Sequence, residues 1–240
     1  MNTPGGVSNR VATPERDVDL VDVTPVNIPS GAPSPPGAAR RVVLVRHGET
    51  ADNVAGRFLG RSDPALTDRG AEAARRLGPL PAGAVVVSSP ARRAIETAAL
   101  LGAGDPLVDE ALREVDFGTW EGSTRDEVER LDPEGYAAFA HGEVVGFPEG
   151  ETVAALGDRT HDALGRHGVP DLVVVTHATV IRVLVAALLG LPIGRYRALL
   201  DRPPNLSWTE LEGHAGGWRL VRYAALSPDP IPAPPPGTAA

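Results

Sequence analysis

Three short apolar runs along the chain each end in polar residues. "VVLV" (42–45) runs into Arg46, His47 and Gly48; "AVVV" (84–87) into Ser88 and Ser89; and "LVVV" (172–175) into Thr176 and His177. Continuous, mostly β-branched runs of this length fit strands buried on both faces, as in a parallel sheet. Elsewhere the apolar spacing becomes helical. Residues 66–78 form an amphipathic stretch with Thr67 placed to start it and Gly78 to stop it. Ser89 and Pro90 suit the N-cap and first position of a helix through "ARRAIETAALLG". A short extended piece is expected near 107–118. Thr124 and Glu127 have capping-box spacing in "STRDEVERL". Further helices are expected over 135–142, 151–168 and 178–190, and an antiparallel edge hairpin over 205–213 and 217–223. Strands alternating with helices indicate an α/β fold, three layers α/β/α around a mostly parallel central sheet.

In open α/β sheets, ligands bind outside the carboxyl ends of the strands. Here those ends deliver Arg46 and His47, Ser88 and Ser89, and Thr176 and His177 to one edge. Histidines and arginines gathered there suit a tetrahedral anion, since guanidinium groups bind phosphate oxygens in a bidentate way and helix N-termini add backbone donors. A neutral His47, its second ring nitrogen fixed by a backbone carbonyl, could serve as a nucleophile. A carboxylic acid would then be needed to protonate the leaving oxygen.

Composition narrows the chemistry. Of 240 residues none is cysteine and none lysine, so thiolate catalysis, Schiff bases and a P-loop lysine are excluded. The net charge of −8 argues against a nucleic-acid surface. The six histidines show no compact metal-ligand spacing, so no metal is expected. There is no signal-like N-terminus and no apolar run approaching about 18 residues. The expectation is a cytoplasmic protein with no membrane partner; a homodimer stays open. Residues 1–40 hold seven prolines, and 227–240 are Pro/Ala-rich. Both read as loosely attached tails, although 17–28 is β-prone enough to dock as an edge arm. One domain over 41–226 remains.

The ordered set "RHGET", Asn53, "SSPARRAIETA", "LREVDFGTWEG" and "VVVTHATVIR" resembles the histidine phosphatase superfamily, in its branch of cofactor-dependent phosphoglycerate mutases and small phosphatases. The resemblance covers nearly all of 41–226. It implies a phosphoglycerate-mutase-like fold with a short cap at about 119–150. His47 would become phosphohistidine and Glu114 would be the general acid, with no cofactor required for hydrolysis. Arg46, Arg93 and His177 would hold the phosphoryl oxygens, with Asn53, Gly60 and Ala178 lining the pocket. Ala178 stands where the family usually has glycine, Leu59 where a polar residue is common, and Ala73 where glutamine is usual. These departures bear on substrate fit more than on catalysis.

Within the cap, Arg125 and Arg130 stand among many acidic residues, which makes it a poor host for a substrate of several negative charges. Trp120, Tyr136, Phe139 and Phe147 could form an apolar lid, with packing the expected role for most of them. The expected function is hydrolysis of a small phosphorylated metabolite. A phosphoglycerate-type mutase is the alternative, and a non-catalytic phospho-ligand binding module the second alternative.

Overall fold

The computed structural model describes residues 40–226 and Ile231. The chain runs β1 (Arg40–Arg46), α1 (Ala51–Val54), α2 (Asp68–Leu77), β2 (Val85–Ser88), α3 (Arg92–Leu100) and β3 (Leu107–Val108). It continues through α4 (Arg125–Leu131), α5 (Pro133–His141), α6 (Val153–Arg166), β4 (Asp171–Thr176), α7 (Ala178–Leu188), α8 (Tyr196–Leu199), β5 (Trp208–His214) and β6 (Gly217–Ala225). The sheet order is β3-β2-β4-β1-β5-β6. Its first four strands are parallel, and β5 and β6 are antiparallel.

Alternation along β1 builds two cores, because successive side chains point to opposite faces. Val42 and Leu44 pack with Ala163 and Leu164 of α6 and with Ile181 and Leu184 of α7. Val43 and Val45 pack with Ala74 and Leu77 of α2 and with Ala94 and Ala98 of α3. The expected three layers result. Thr67 caps α2, Gly78 ends it at φ 87°, and Thr124 and Glu127 close the capping box of α4. The start of α3 differs from expectation. Its N-cap is Ala91, and the Ser89 hydroxyl both accepts the Ala91 amide at 3.3 Å and bonds His177.

A third core lies under the cap. Phe58, Phe117, Trp120, Phe139 and Phe147 meet largely edge-on, and Val153 of α6 and Val180 of α7 complete the cluster. These aromatic rings are packing, as T-shaped pairs favour. The cap is joined to the sheet where Gly118, at φ 55°, lets the chain pass Pro148; a Cβ there would lie 2.0 Å from the Pro148 carbonyl oxygen.

The tail reading for 1–40 and the arm at 17–28 fall almost wholly outside the described residues. Within 227–240 only Ile231 is described, and it is buried in the core with Val43 and Trp208. Among the described residues, no helix is long and apolar enough to cross a membrane.

Candidate active site

Strand register places the chemistry. Arg46 is paired with Thr176 and Ser88 with Val175, so His47, His177 and Ser89 leave the sheet from one edge. The His47 amide donates to the Thr176 carbonyl at 2.9 Å, and the Ser89 amide to the Val175 carbonyl at 2.9 Å. The two imidazoles meet edge-on, 5.1 Å between centroids, and both are buried.

Nδ1 of His47 lies 2.7 Å from the Gly48 carbonyl oxygen. A carbonyl only accepts, so Nδ1 carries the hydrogen and Nε2 keeps its lone pair. The turn is pinned on both sides. The Gly48 amide donates to Thr97 Oγ1 at 2.9 Å, and Asn205 Nδ2 donates to the His47 and Gly48 carbonyls at 2.9 and 3.1 Å. Burial, followed by the charges of Arg46 and Arg93, holds the His47 pKa well below its usual value. The ring is therefore neutral at neutral pH, the state a nucleophile needs.

Nitrogen NMR of His47 is expected to show the neutral, Nδ1-protonated tautomer still at about pH 6, below the pKa of about 6.5 of an unperturbed histidine. A protonated ring there would sink the assignment. The linked stability has a definite sign: with the folded pKa depressed, the contribution is full above about pH 6.5. It is lost as pH falls below that value, because the unfolded chain takes up the proton first.

His177 is neutral for similar reasons: burial first, then Arg93, His47 and Arg46. Its Nε2 is 2.8 Å from Ser89 Oγ, which accepts the Ala91 amide at 3.3 Å. When the Ser89 hydroxyl donates to Nε2, the ring hydrogen lies on Nδ1, free for a ligand. Among the described residues, His177 Nδ1 and the Nε atoms of Arg46 and Arg93 are buried without a hydrogen-bond partner. Buried polar groups are normally paired, because leaving one unmade costs about 1–3 kcal/mol. Three such donors neighbouring one imidazole suit an anion's oxygens. Other donors of the same arginines are committed to protein: Arg46 to the Pro203 carbonyl at 2.7 Å, and Arg93 to the Ser62 and Gly60 carbonyls at 2.7 and 3.0 Å.

Ser89 is a positioning residue that the sequence reading took for a helix cap. Ser89→Ala is expected to lower kcat/KM by roughly tenfold and stability by about 1–2 kcal/mol, the scale of one buried polar group left unpaired. Ser89→Thr, which restores the hydroxyl, should recover much of the activity. Equal activity in the alanine variant would remove Ser89 from this role.

Glu114 is buried, and each carboxylate oxygen accepts a backbone amide: Oε1 from Val115 at 3.0 Å, Oε2 from Thr179 in the first turn of α7 at 3.1 Å. Behind it, Arg159 donates to the carbonyls of Ala111, Arg113 and Glu114 and pairs with both oxygens of Glu151. Asn53 closes the capping box of α1, and its Oδ1 accepts from Asn205 at 3.0 Å. Its amide nitrogen is left for a ligand.

Arg46, His47, Asn53, Glu114 and Ala178 line one cavity. Arg93 and His177 are fully buried. Gly60 stands one layer behind the position expected of it. Its amide donates to the Glu121 carboxylate at 3.0 Å, its carbonyl receives Arg93, and a Cβ would lie 2.3 Å from the Val115 carbonyl oxygen. It supports Arg93. Glu121 also receives the Ser62 amide at 3.0 Å.

The acidic-cap expectation changes as well. Glu121, Glu127 and Asp132 are turned to backbone amides, and the cavity is lined by Arg57, Arg125, Arg182, Arg197 and Arg202 besides Arg46. Glu114 is its one acidic lining residue among the described residues. Of these, the sequence singles out Arg125 in the cap but not Arg57, Arg182, Arg197 or Arg202. Arg182 had a signal, four residues after Ala178 on the same helix face. Arg197, on the short helix α8, and Arg202, beyond it, had none.

Residues 42–226 match the model of the histidine phosphatase superfamily (branch 1). The chain is 35% identical over 196 residues to glucosyl-3-phosphoglycerate phosphatase of Mycolicibacterium vanbaalenii, covering 73% of this chain and 85% of that protein. The native structure of mycobacterial glucosyl-3-phosphoglycerate phosphatase superposes with a TM-score of 0.68 at 32% identity, over 78% of this chain and 100% of the other. The alpha-ribazole phosphatase of Shigella flexneri superposes with a TM-score of 0.67 at 28% identity, over 77% and 96%.

Proposed function

Because the chain belongs to the histidine phosphatase superfamily and is a phosphomonoesterase, we propose that it hydrolyses a small phosphorylated metabolite through phosphohistidine at His47. The observation that carries this reading is the neutral His47, Nδ1 bound to a carbonyl and Nε2 free, beside three unpaired buried donors. Nε2 attacks phosphorus as the bond to the leaving oxygen breaks, and Glu114 gives that oxygen its proton. Arg46, Arg93 and His177 take the charge on the transferred oxygens, the dominant contribution in phosphoryl transfer. Water then attacks the phosphohistidine, its proton passes to Glu114, and phosphate leaves. Atoms and protons balance after each cycle.

Arginine and imidazole supply the positive field, so excess EDTA is expected to leave phosphate release from a panel of monoesters unchanged. Loss on chelation with recovery by a divalent ion would overturn the metal-free reading. Following isomer formation in the same assay tests hydrolysis itself. Isomer appearing faster than phosphate would make the protein a mutase. The net charge of −8 disfavours a nucleic-acid partner, and the absence of cysteine agrees with a cytoplasmic setting.

A further inference from the structure

Besides Arg57, which pairs with Glu127 at 3.6 Å, four arginines share the cavity with His47 and Glu114 but lie outside the set assigned to the phosphoryl group. Arg125 opens α4, Arg182 sits on α7, Arg197 on α8, and Arg202 follows it. Arg182 is buried. Its Nε donates to the Ala178 carbonyl at 3.3 Å, and its guanidinium lies 4.8 Å from the Tyr196 ring centroid. Arg197 Nε donates to the Phe139 carbonyl at 2.9 Å, with its guanidinium 3.5 Å from the Phe139 centroid. These contacts orient the two planes yet use only the Nε hydrogens, leaving the terminal forks available. Among the described residues, none of the four makes a salt bridge.

Such a grouping is unfavourable by itself. Burial, then Arg182, and further Arg125 and Arg202, push the Arg197 pKa down to about 10. Arg46 is pushed to about 9 by burial and then by Arg202. Arg182, and in part Arg197, are withdrawn from water without a counter-ion, which costs free energy that an arriving anion offsets, while Arg125 and Arg202 stay exposed. One phosphoryl group, already met by Arg46, Arg93 and His177, does not account for four further cations.

We propose that Arg125, Arg182, Arg197 and Arg202 form a second anion site, so that the leaving group of the preferred ester carries its own carboxylate or phosphate. The proposal rests on the phosphomonoesterase reading and narrows its substrate class. Planar guanidinium forks match either group.

Full-length protein is assayed with three esters of one skeleton: propyl phosphate, 3-phosphooxypropanoate and propane-1,3-diyl bisphosphate. The esters bearing a second anion are expected to show kcat/KM at least roughly tenfold higher, the scale of a hydrogen bond to a charged group, mostly through KM. Whichever anionic ester is better identifies the anion. In Arg125→Gln and Arg202→Gln, where exposed side chains are changed, the ratio of anionic to neutral ester should fall by about tenfold on the same scale. Equal kcat/KM for all three esters, or a ratio surviving in both variants, overturns the second site. If no ester is hydrolysed, the phosphatase reading fails. Calorimetric binding of the same esters to His47→Ala then decides the anion site separately: tighter binding of the anionic esters supports it, and equal binding overturns it.

Discussion

Alanine at position 47 is expected to lower turnover by 10⁴-fold or more, on the order seen when a catalytic nucleophile is deleted. The protein should still fold. The Gly48 carbonyl loses Nδ1 but keeps the Asn205 amide, and the anion donors on Arg46, Arg93 and His177 do not depend on the lost ring. Ester binding should therefore survive while chemistry stops. In the native chain, rapid quenching during turnover should trap phosphate on His47 in a linkage labile to acid and stable to alkali. Phosphate on His177 instead would reverse the roles of the two rings. Turnover within a few-fold of native in His47→Ala would end the covalent mechanism.

Glu114→Gln should reduce kcat by roughly 10²–10⁴-fold, the usual contribution of general acid–base catalysis. The loss should depend on the leaving group. An alkyl phosphate needs its oxygen protonated and should suffer fully, whereas p-nitrophenyl phosphate releases a stable anion and should lose less in the phosphorylation step. The structure adds a cost: both Glu114 oxygens accept amides, and glutamine offers only one carbonyl oxygen. One amide, from Val115 or Thr179, would then face an NH₂ group, lowering stability by about 1–3 kcal/mol. Activity and melting temperature must be read together. An equal loss for both classes of ester would mean that Glu114 holds the site in shape and does not donate the proton.

Much of this was legible because it follows from local rules. Buried strands show as continuous apolar runs, and a parallel sheet brings their carboxyl ends to one edge. Arg46, His47 and His177 could therefore be placed together from sequence alone. Thr67, Gly78 and the Thr124–Glu127 box act within one turn of their own helices and were legible for the same reason. That the Ser89 hydroxyl also serves a histidine 88 residues away is something no local pattern reports. Asn205, 158 residues from the carbonyl of His47, was missed likewise. The charge of the cavity was the largest departure. Counting acids along the cap ignores which way they face, and Glu121, Glu127 and Asp132 are used up on backbone amides while arginines from distant segments supply the lining.

Glu121 belongs to the cap in sequence, yet its carboxylate holds the amides of Gly60 and Ser62, whose carbonyls in turn hold Arg93. The cap is thus not an interchangeable part. A chimera that borrows this segment from a relative, in order to alter which esters are accepted, would also unseat Arg93 unless a carboxylate is kept at position 121. If Arg93 grips the phosphoryl group as proposed, selectivity and phosphate affinity are inherited together, and an attempt to breed one without the other has to leave that side chain untouched.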